Sequence, residues 1–564
     1  MLTKNNTPWS LGFASAAALS YVSSVFLLLS MLAILASYLY GLSLPERWPS
    51  LIYFYSALVV TIISKKWGTA FLIFMMPLLP NLHIQLEHLR SPLQKSFIAY
   101  PGLDVIAGYV LASGLHLIAD HKKIKLSRLN VPWPLAASLI FIICSVVIAI
   151  TRNLSQSGND FSLAGLLIHL LSFKILDWKN DYFPLADLLV YSGSVTLIVT
   201  LLPLLRASTE RDQIVFKPLL AGLFLSASWG IVQALTGFGL PITTSQYRIE
   251  DFGFGAHGFQ PDLHAFAAHM LLGAVGLYGY LFRSTHTTPQ RWAAGTVCLL
   301  CWVALVLSKS RASVIFAVLF SLIVLLHFLW GIRRRISVKY VGILCTTGLV
   351  LAGFIFFHTS GWLLELVSNL KDLGQNDFDQ LNRLSKWRLE LHLAAMRMWS
   401  AFPIFGLGQG TFFRLSSLAD FSQSPLMVIS GGENAHNYFL QTLAELGLMG
   451  FILFCCVFVW PLRHRQNWQG ALPVCILILA TFLGNLYSHA FIIRENLFLL
   501  AVFVALLYSQ TERHQTIAAS STRCNYLQLV YVVGIVSLLA YGCYEVINSF
   551  GSYPFECRNS IKCE

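Results

Sequence analysis

Apolar runs of about 20 residues recur along almost the whole chain, parted by short polar turns, and nothing constrains its fold more. A helix of about 20 residues crosses the hydrocarbon core of a bilayer. Inside lipid a helix satisfies its own backbone hydrogen bonds, which an isolated extended segment cannot. The runs fall at 19–42, 48–63, 67–84, 99–119, 131–151, 185–206, 217–237, 261–282, 291–309, 312–332, 339–357, 437–462, 470–488, 494–510 and 525–547, about 15 in all. Of 564 residues, 56% are hydrophobic and only 11% charged, against about 25% charged in a soluble domain. A soluble enzyme, a disordered chain and a disulfide scaffold are excluded. The expected fold is an all-α, polytopic transmembrane helical bundle of about 14–15 spans.

The net charge of +12 would suggest nucleic acid in a soluble protein. In a membrane protein it reads as basic cytoplasmic turns, and no nucleic-acid partner is expected. Lys65-Lys66, Lys122-Lys123 with Lys125, Arg333-Arg334-Arg335, and Arg463 with Arg465 all fall on one side when the spans alternate, together with Lys4. That side is the expected cytoplasm, and Lys4 with the run after it reads as a retained signal anchor. Most of the 11 cysteines lie in apolar runs and pack as small hydrophobes, Cys298 and Cys301 among them. Cys557 and Cys563 lie in a polar tail, where a disulfide is an even-odds expectation.

Five regions follow: an N-terminal transmembrane region of unknown role (1–210), core transmembrane helices (211–357), a long external loop (358–436), C-terminal transmembrane helices (437–548) and an external tail (549–564). Residues 162–176 form an amphipathic stretch suited to lying along the membrane surface. Loops as long as 358–436 are usually functional or disordered, and Trp387, Trp399, Phe402, Phe405 and Phe412 favour folding.

The external face gathers the polar residues. Arg311 sits in the tight turn Ser308-Lys309-Ser310-Arg311, where a cation answers to an anion or snorkels to lipid headgroups. Arg383, Lys386 and Arg388 look like the start of an amphipathic helix, and taken alone a solvated basic face. The glycine-rich turn 403–410 lacks the strand and lysine of a nucleotide loop. His436 stands at the external start of a span, where the helix dipole favours anions and a neutral imidazole base. A lone interfacial histidine is usually structural, and Gly447 and Gly450 suit close helix packing equally well. Arginines bind pyrophosphate through bidentate bonds, and a histidine among them could deprotonate a hydroxyl. That set suits transfer from a lipid pyrophosphate to a hydroxyl outside the cytoplasm. A glycolipid transporter or flippase is the rival reading, with Asp187, His264 and His269 as its ionisable groups.

His436-Asn437, the nine residues 438–446, and Gly447-Leu448-Met449-Gly450 resemble the signature of the O-antigen ligase and polymerase superfamily, a His followed by Asn, Ser or Gln, then nine residues, Gly, two residues and Gly. Ser310-Arg311 is similar to its Ser-Arg element. Arg383, Trp387, Pro403, Gly406 to Gly410 and Phe412 are similar to its Arg…Trp…Pro…Gly-x-Gly…Phe stretch. Gly258-Phe259-Gln260-Pro261-Asp262-Leu263-His264-Ala265 resembles a Gly-x-Phe…Asn-Pro-Asn…Ala element, with Asp262 and His264 where asparagines are common. The likeness covers roughly residues 215–510.

The resemblance implies a GT-C-like, metal-independent, inverting glycosyltransferase of the bacterial inner membrane, with its site on the periplasmic face and no cofactor. It implies His436 as catalytic base, and Arg311 with Arg383 or Arg388 on the pyrophosphate, Arg383 preferred. Asn437 and Gln260 complete the expected substrate-binding set. The donor would be an undecaprenyl-pyrophosphate-linked glycan held among membrane lipids. The acceptor would be lipid A-core for a ligase, the favoured reading, another lipid-linked glycan for a polymerase, or a protein for an O-oligosaccharyltransferase.

Overall fold

The computed structural model describes residues 39, 48–79, 82, 101–119, 132–171, 180–207, 212–239, 255–260, 263–281, 287–332, 388–418, 420–421, 432–463, 468–487, 491 and 494–511. Among these the chain is helical and has no strand. The helices are α1 Trp48–Ile63, α2 Lys65–Met75, α3 Pro101–Ala119, α4 Trp133–Ser157, α5 Leu163–Leu171, α6 Pro184–Ala207, α7 Lys217–Thr236, α8 Leu263–Leu271, α9 Tyr278–Leu281, α10 Thr288–Leu307, α11 Arg311–Ile332, α12 Arg388–Ala401, α13 Phe412–Leu415, α14 Tyr438–Val459, α15 Trp468–Asn485 and α16 Arg494–Thr511.

Every apolar run that falls on described residues is helical there. The runs at 339–357 and 525–547 lie outside them, as does 19–42 apart from Leu39. Among the described residues, five helices are long and apolar enough to cross a membrane: Trp133–Ser157, Pro184–Arg206, Gln213–Thr236, Thr288–Leu307 and Tyr438–Leu462. The chain is a multi-pass helical membrane protein. Trp292, Ile323 and Val459 are all more than 60% exposed, as outward-facing residues of a bundle bathed in lipid are.

Local chemistry sets the helix ends. Thr287 and Gln290 form a reciprocal capping box at the start of α10. Gly158 and Gly237 close α4 and α7 in the left-handed conformation that glycine adopts without penalty. The run 261–282 is not one continuous α-helix. It widens into a π-turn at Leu272–Gly276, where Cys301 packs against Gly273 and the Cys298 thiol donates to the Ala274 carbonyl at 3.0 Å. Cys298 and Cys301 are buried and unbridged, as their apolar setting predicts.

The two ends of the bundle differ. At one, His116 near the end of α3 bonds the Thr61 carbonyl beside Lys65-Lys66. At the other lie Leu79, residues 255–260, and the turn after α10, joined by bonds from Gln260 to the Leu79 carbonyl and from the Ala256 N–H to the Leu307 carbonyl. Gln233 of α7 ties residues 255–260 down further, accepting from the His257 and Gly258 N–H groups. Gln260, His264, Ser310 and Arg388 collect at this second end, opposite the basic turn Lys65-Lys66.

Candidate active site

One half of the site is built on the turn between α10 and α11. Lys309 there has φ 60, and His436 has φ 47; they are the only non-glycine residues with positive φ among the described residues. Such backbone costs about 1–3 kcal/mol and persists where surrounding structure enforces it, often at functional sites. Ser308 and Ser310 stabilise the turn: the Ser310 N–H donates to Ser308 Oγ, and Ser308 Oγ donates to the Leu305 carbonyl. Arg311 then opens α11; its side chain lies outside the described residues.

Ser310 Oγ is 3.3 Å from His264 Nδ1 on α8, and His264 Nε2 is 2.8 Å from an Arg388 guanidinium nitrogen. Arginine only donates, so His264 Nε2 must be the unprotonated nitrogen and Nδ1 carries the proton toward Ser310. Arg388 also donates to the Tyr487 carbonyl at 3.2 Å. The side chain is thus held between α8 and the end of α15, which corrects the expectation of a freely solvated basic face. Arg383 lies outside the described residues. One turn along α12, burial and then the Arg388 charge push the His392 imidazole below its ordinary range, which keeps it neutral at neutral pH.

The other half is built on α14, against which α12 packs. Asn437 caps this helix, its Oδ1 accepting from the Phe439 and Leu440 N–H groups at 3.1 Å. That side-chain oxygen serves the helix, and only the amide nitrogen remains to offer a ligand. The His436 N–H donates to Asn434 Oδ1 at 2.9 Å, and Asn434 is itself bonded to Glu433. The neighbouring Ala435 N–H donates to Gln441 Oε1, Gln441 Nε2 donates to Glu445, and Glu445 also accepts from the Phe412 N–H. A buried polar chain therefore runs from the glycine-rich turn to the residue before His436.

Gly447 corrects a second expectation. It does not serve close packing in a continuous helix: φ 64 and ψ −170 break α14 there. The turn 403–408 occupies the break. Leu407 and Gly408 donate to the Ala444 and Glu445 carbonyls, and Leu448 and Met449 donate to those of Pro403 and Ile404. A Cβ at Gly447 would collide with the Ile404 carbonyl, and one at Gly406 with the Glu445 carbonyl. Gly450 does serve packing, against Leu446 and Phe141.

Helices α4 and α6 hold the far side of this turn. Arg152 donates to the Leu407 carbonyl and lies 5.2 Å above the Phe402 ring. Ser145 Oγ accepts from the Gln409 N–H, and Gln409 Nε2 donates to Asp187. Asp181 pairs with Arg414 at 2.6 Å. Burial pushes that carboxyl up, but bonds from Arg414, Ser157 and Asn159, with the Arg414 charge, outweigh it and leave Asp181 below the usual carboxylate range. None of these contacts follows from sequence spacing. A lone arginine at the end of an apolar run, such as Arg152, was the available signal, because an ionisable group there needs a partner. Gln260, expected to touch substrate, is buried with Nε2 on the Leu79 carbonyl, an anchoring contact in place of an open one.

Residues 296–455 match the family model described as O-antigen ligase. The matched segment runs from within α10 to within α14 and so contains Ser310-Arg311, Arg388, the glycine-rich turn and the residues from His436 to Gly450. The match supports membership of the O-antigen ligase superfamily. None of the curated proteins compared with the chain matches it.

Proposed function

We propose that this chain, a multi-pass membrane protein with an O-antigen ligase domain over residues 296–455, is a glycosyltransferase that moves a glycan from undecaprenyl pyrophosphate to an acceptor hydroxyl on the periplasmic face of a bacterial inner membrane. The favoured activity is ligation to lipid A-core. The observation that carries this reading is the bonded set Arg388–His264–Ser310 directly beside Arg311, at the same end of the bundle as left-handed His436.

In this mechanism Arg311 and Arg388 neutralise the pyrophosphate, Arg388 taking the role that motif order gave to Arg383. A ring nitrogen of His436 removes the proton of the acceptor hydroxyl. The freed oxygen pair forms a bond to the anomeric carbon as that carbon's bond to pyrophosphate breaks, which inverts the centre. The departing pyrophosphate stays on its lipid and needs charge neutralisation more than a proton, so no metal enters the scheme.

The test is a strain lacking the gene, complemented with wild type or His436→Ala, with lipid-linked glycans sized by mass spectrometry. A positioned base supplies typically 10²–10⁴-fold, so His436→Ala should accumulate long lipid-linked chains as the deletion does. Accumulated single repeat units would instead mean a polymerase. Full complementation by His436→Ala would remove His436 from the chemistry.

A further inference from the structure

A polar cavity of about 380 Å³ lies between the end of α4, the short helix α5 and the start of α6, on the far side of the Asp181–Arg414 pair from the turn 403–408. Asn159, Asp160, Gly165, His169, Asn180 and Tyr182 line it. Its wall is organised in advance. Asn180 bonds His169 Nδ1 at 2.9 Å, the Tyr182 N–H donates to Asn180 Oδ1, and Asn159 donates to Asp181. The volume falls within the roughly 300–1,000 Å³ of small-molecule sites.

The lining chooses the ligand class. Among the described residues it holds carboxylate, amide, imidazole and phenol groups and no lysine or arginine. Such a wall offers donors and acceptors to hydroxyls. Its position narrows the choice. Phe161, Leu163 and Ile168 around α5 are more than 60% exposed, an apolar flank suited to the lipid boundary. The cavity therefore stands where sugars attached to a membrane-bound anchor emerge. Asp181 on its wall is paired with Arg414, which lies within the O-antigen ligase domain.

We propose that this cavity is a subsite for sugar units of a glycan substrate, contributed by the N-terminal region to the site described above. The proposal rests on the glycosyltransferase reading. Those sugars could belong to the lipid-linked donor or to the acceptor core, and the two are separable by probe.

The experiment uses full-length protein in detergent and saturation-transfer NMR with two probes: oligosaccharide released by mild acid from the host's lipid-linked pool, and delipidated core oligosaccharide. The variants are Asp160→Ala and Gly165→Phe. The nearest atoms to a Cβ at Gly165 belong to Ser162 and the Tyr182 hydroxyl, at 3.5 Å or more, so a side chain can start there without collision, and the Tm shows whether the larger ring is accommodated. Wild type should bind one probe, which identifies the source, and Gly165→Phe should weaken that binding at least tenfold with an unchanged Tm. Equal binding by both proteins, or binding of neither probe by wild type, overturns the subsite. Transfer measured on the same preparations keeps the two claims apart. An active wild type with Gly165→Phe unaffected in KM and binding overturns the subsite alone, whereas plug-sensitive binding without transfer by wild type overturns only the glycosyltransferase reading.

Discussion

His264 shows how a single protonation state organises the arginine half of the site. Because Arg388 can only donate, the bond at 2.8 Å needs an unprotonated Nε2. Replacing the ring removes one of the acceptors that hold the guanidinium, the Tyr487 carbonyl being another. A hydrogen bond to a charged group contributes about 1.5–3 kcal/mol, so His264→Ala should lower kcat/KM by about 10–100-fold. If Arg388 holds the pyrophosphate equally in ground and transition states, the loss should sit mainly in KM for the lipid-linked donor. Steady-state kinetics on purified variants would check this, the KM-against-kcat split showing whether Arg388 acts on bound donor or on the departing pyrophosphate, and an unchanged kcat/KM would contradict the assigned role. Asp181 offers a second test at this scale. It titrates below the ordinary carboxylate range, so its pairing with Arg414 contributes stability above that range and loses it as pH falls through the depressed value. The Tm difference between wild type and Asp181→Asn in detergent should therefore be largest near neutral pH and shrink in acid.

The element that most determines the site is α14, a helix whose usefulness depends on being broken. Its first half starts at the Asn437 cap, just after His436, and its second half continues into the membrane. At Gly447 the backbone takes φ 64 and ψ −170, a region open essentially to glycine alone. The turn 403–408 satisfies the hydrogen-bonding groups that the break exposes, as buried backbone requires. Gly447→Ala should therefore destabilise by about 1–3 kcal/mol from conformation alone, and further by collision with the Ile404 carbonyl. Activity should fall with it, because the break seats the turn that leads into α13, whose Phe412 N–H bonds Glu445 and, through Gln441, the residue before His436. Gly295→Ala in α10 is the control. A Cβ there meets nothing within 4 Å, and alanine in a helix should leave stability unchanged or raise it by about 0.4–1 kcal/mol. Thermal melts of both variants in detergent would decide the point.

At the scale of the whole molecule, the membrane class and the helices over the described runs were legible because apolar length is a one-dimensional signal. The motif residues were legible for a related reason: His436, Gly447 and Gly450 lie close together in sequence. What holds them was not. Arg152 reaches Leu407 across 255 positions and Gln409 reaches Asp187 across 222, and no local pattern encodes such pairings. The N-terminal region thus had no readable role although α4 and α6 grip the turn seated in α14. Arg152 makes that grip testable. It is buried, donates to the Leu407 carbonyl and lies over the Phe402 ring. Arg152→Ala would leave that carbonyl without its charged donor inside the protein, a loss of about 1.5–3 kcal/mol. Arg152→Lys retains a charge but not the planar guanidinium that suits both contacts, and should recover only part of it. Because the turn also braces α14 at residues 444–449, where Glu445 links through Gln441 to the residue before His436, Arg152→Ala should impair glycan transfer more than a neutral replacement of exposed Thr151 beside it. Parallel melts and transfer assays on the three variants would measure the difference. Equal activity in all of them would mean that α4 and α6 merely pack against the domain at 296–455 and do not support its chemistry.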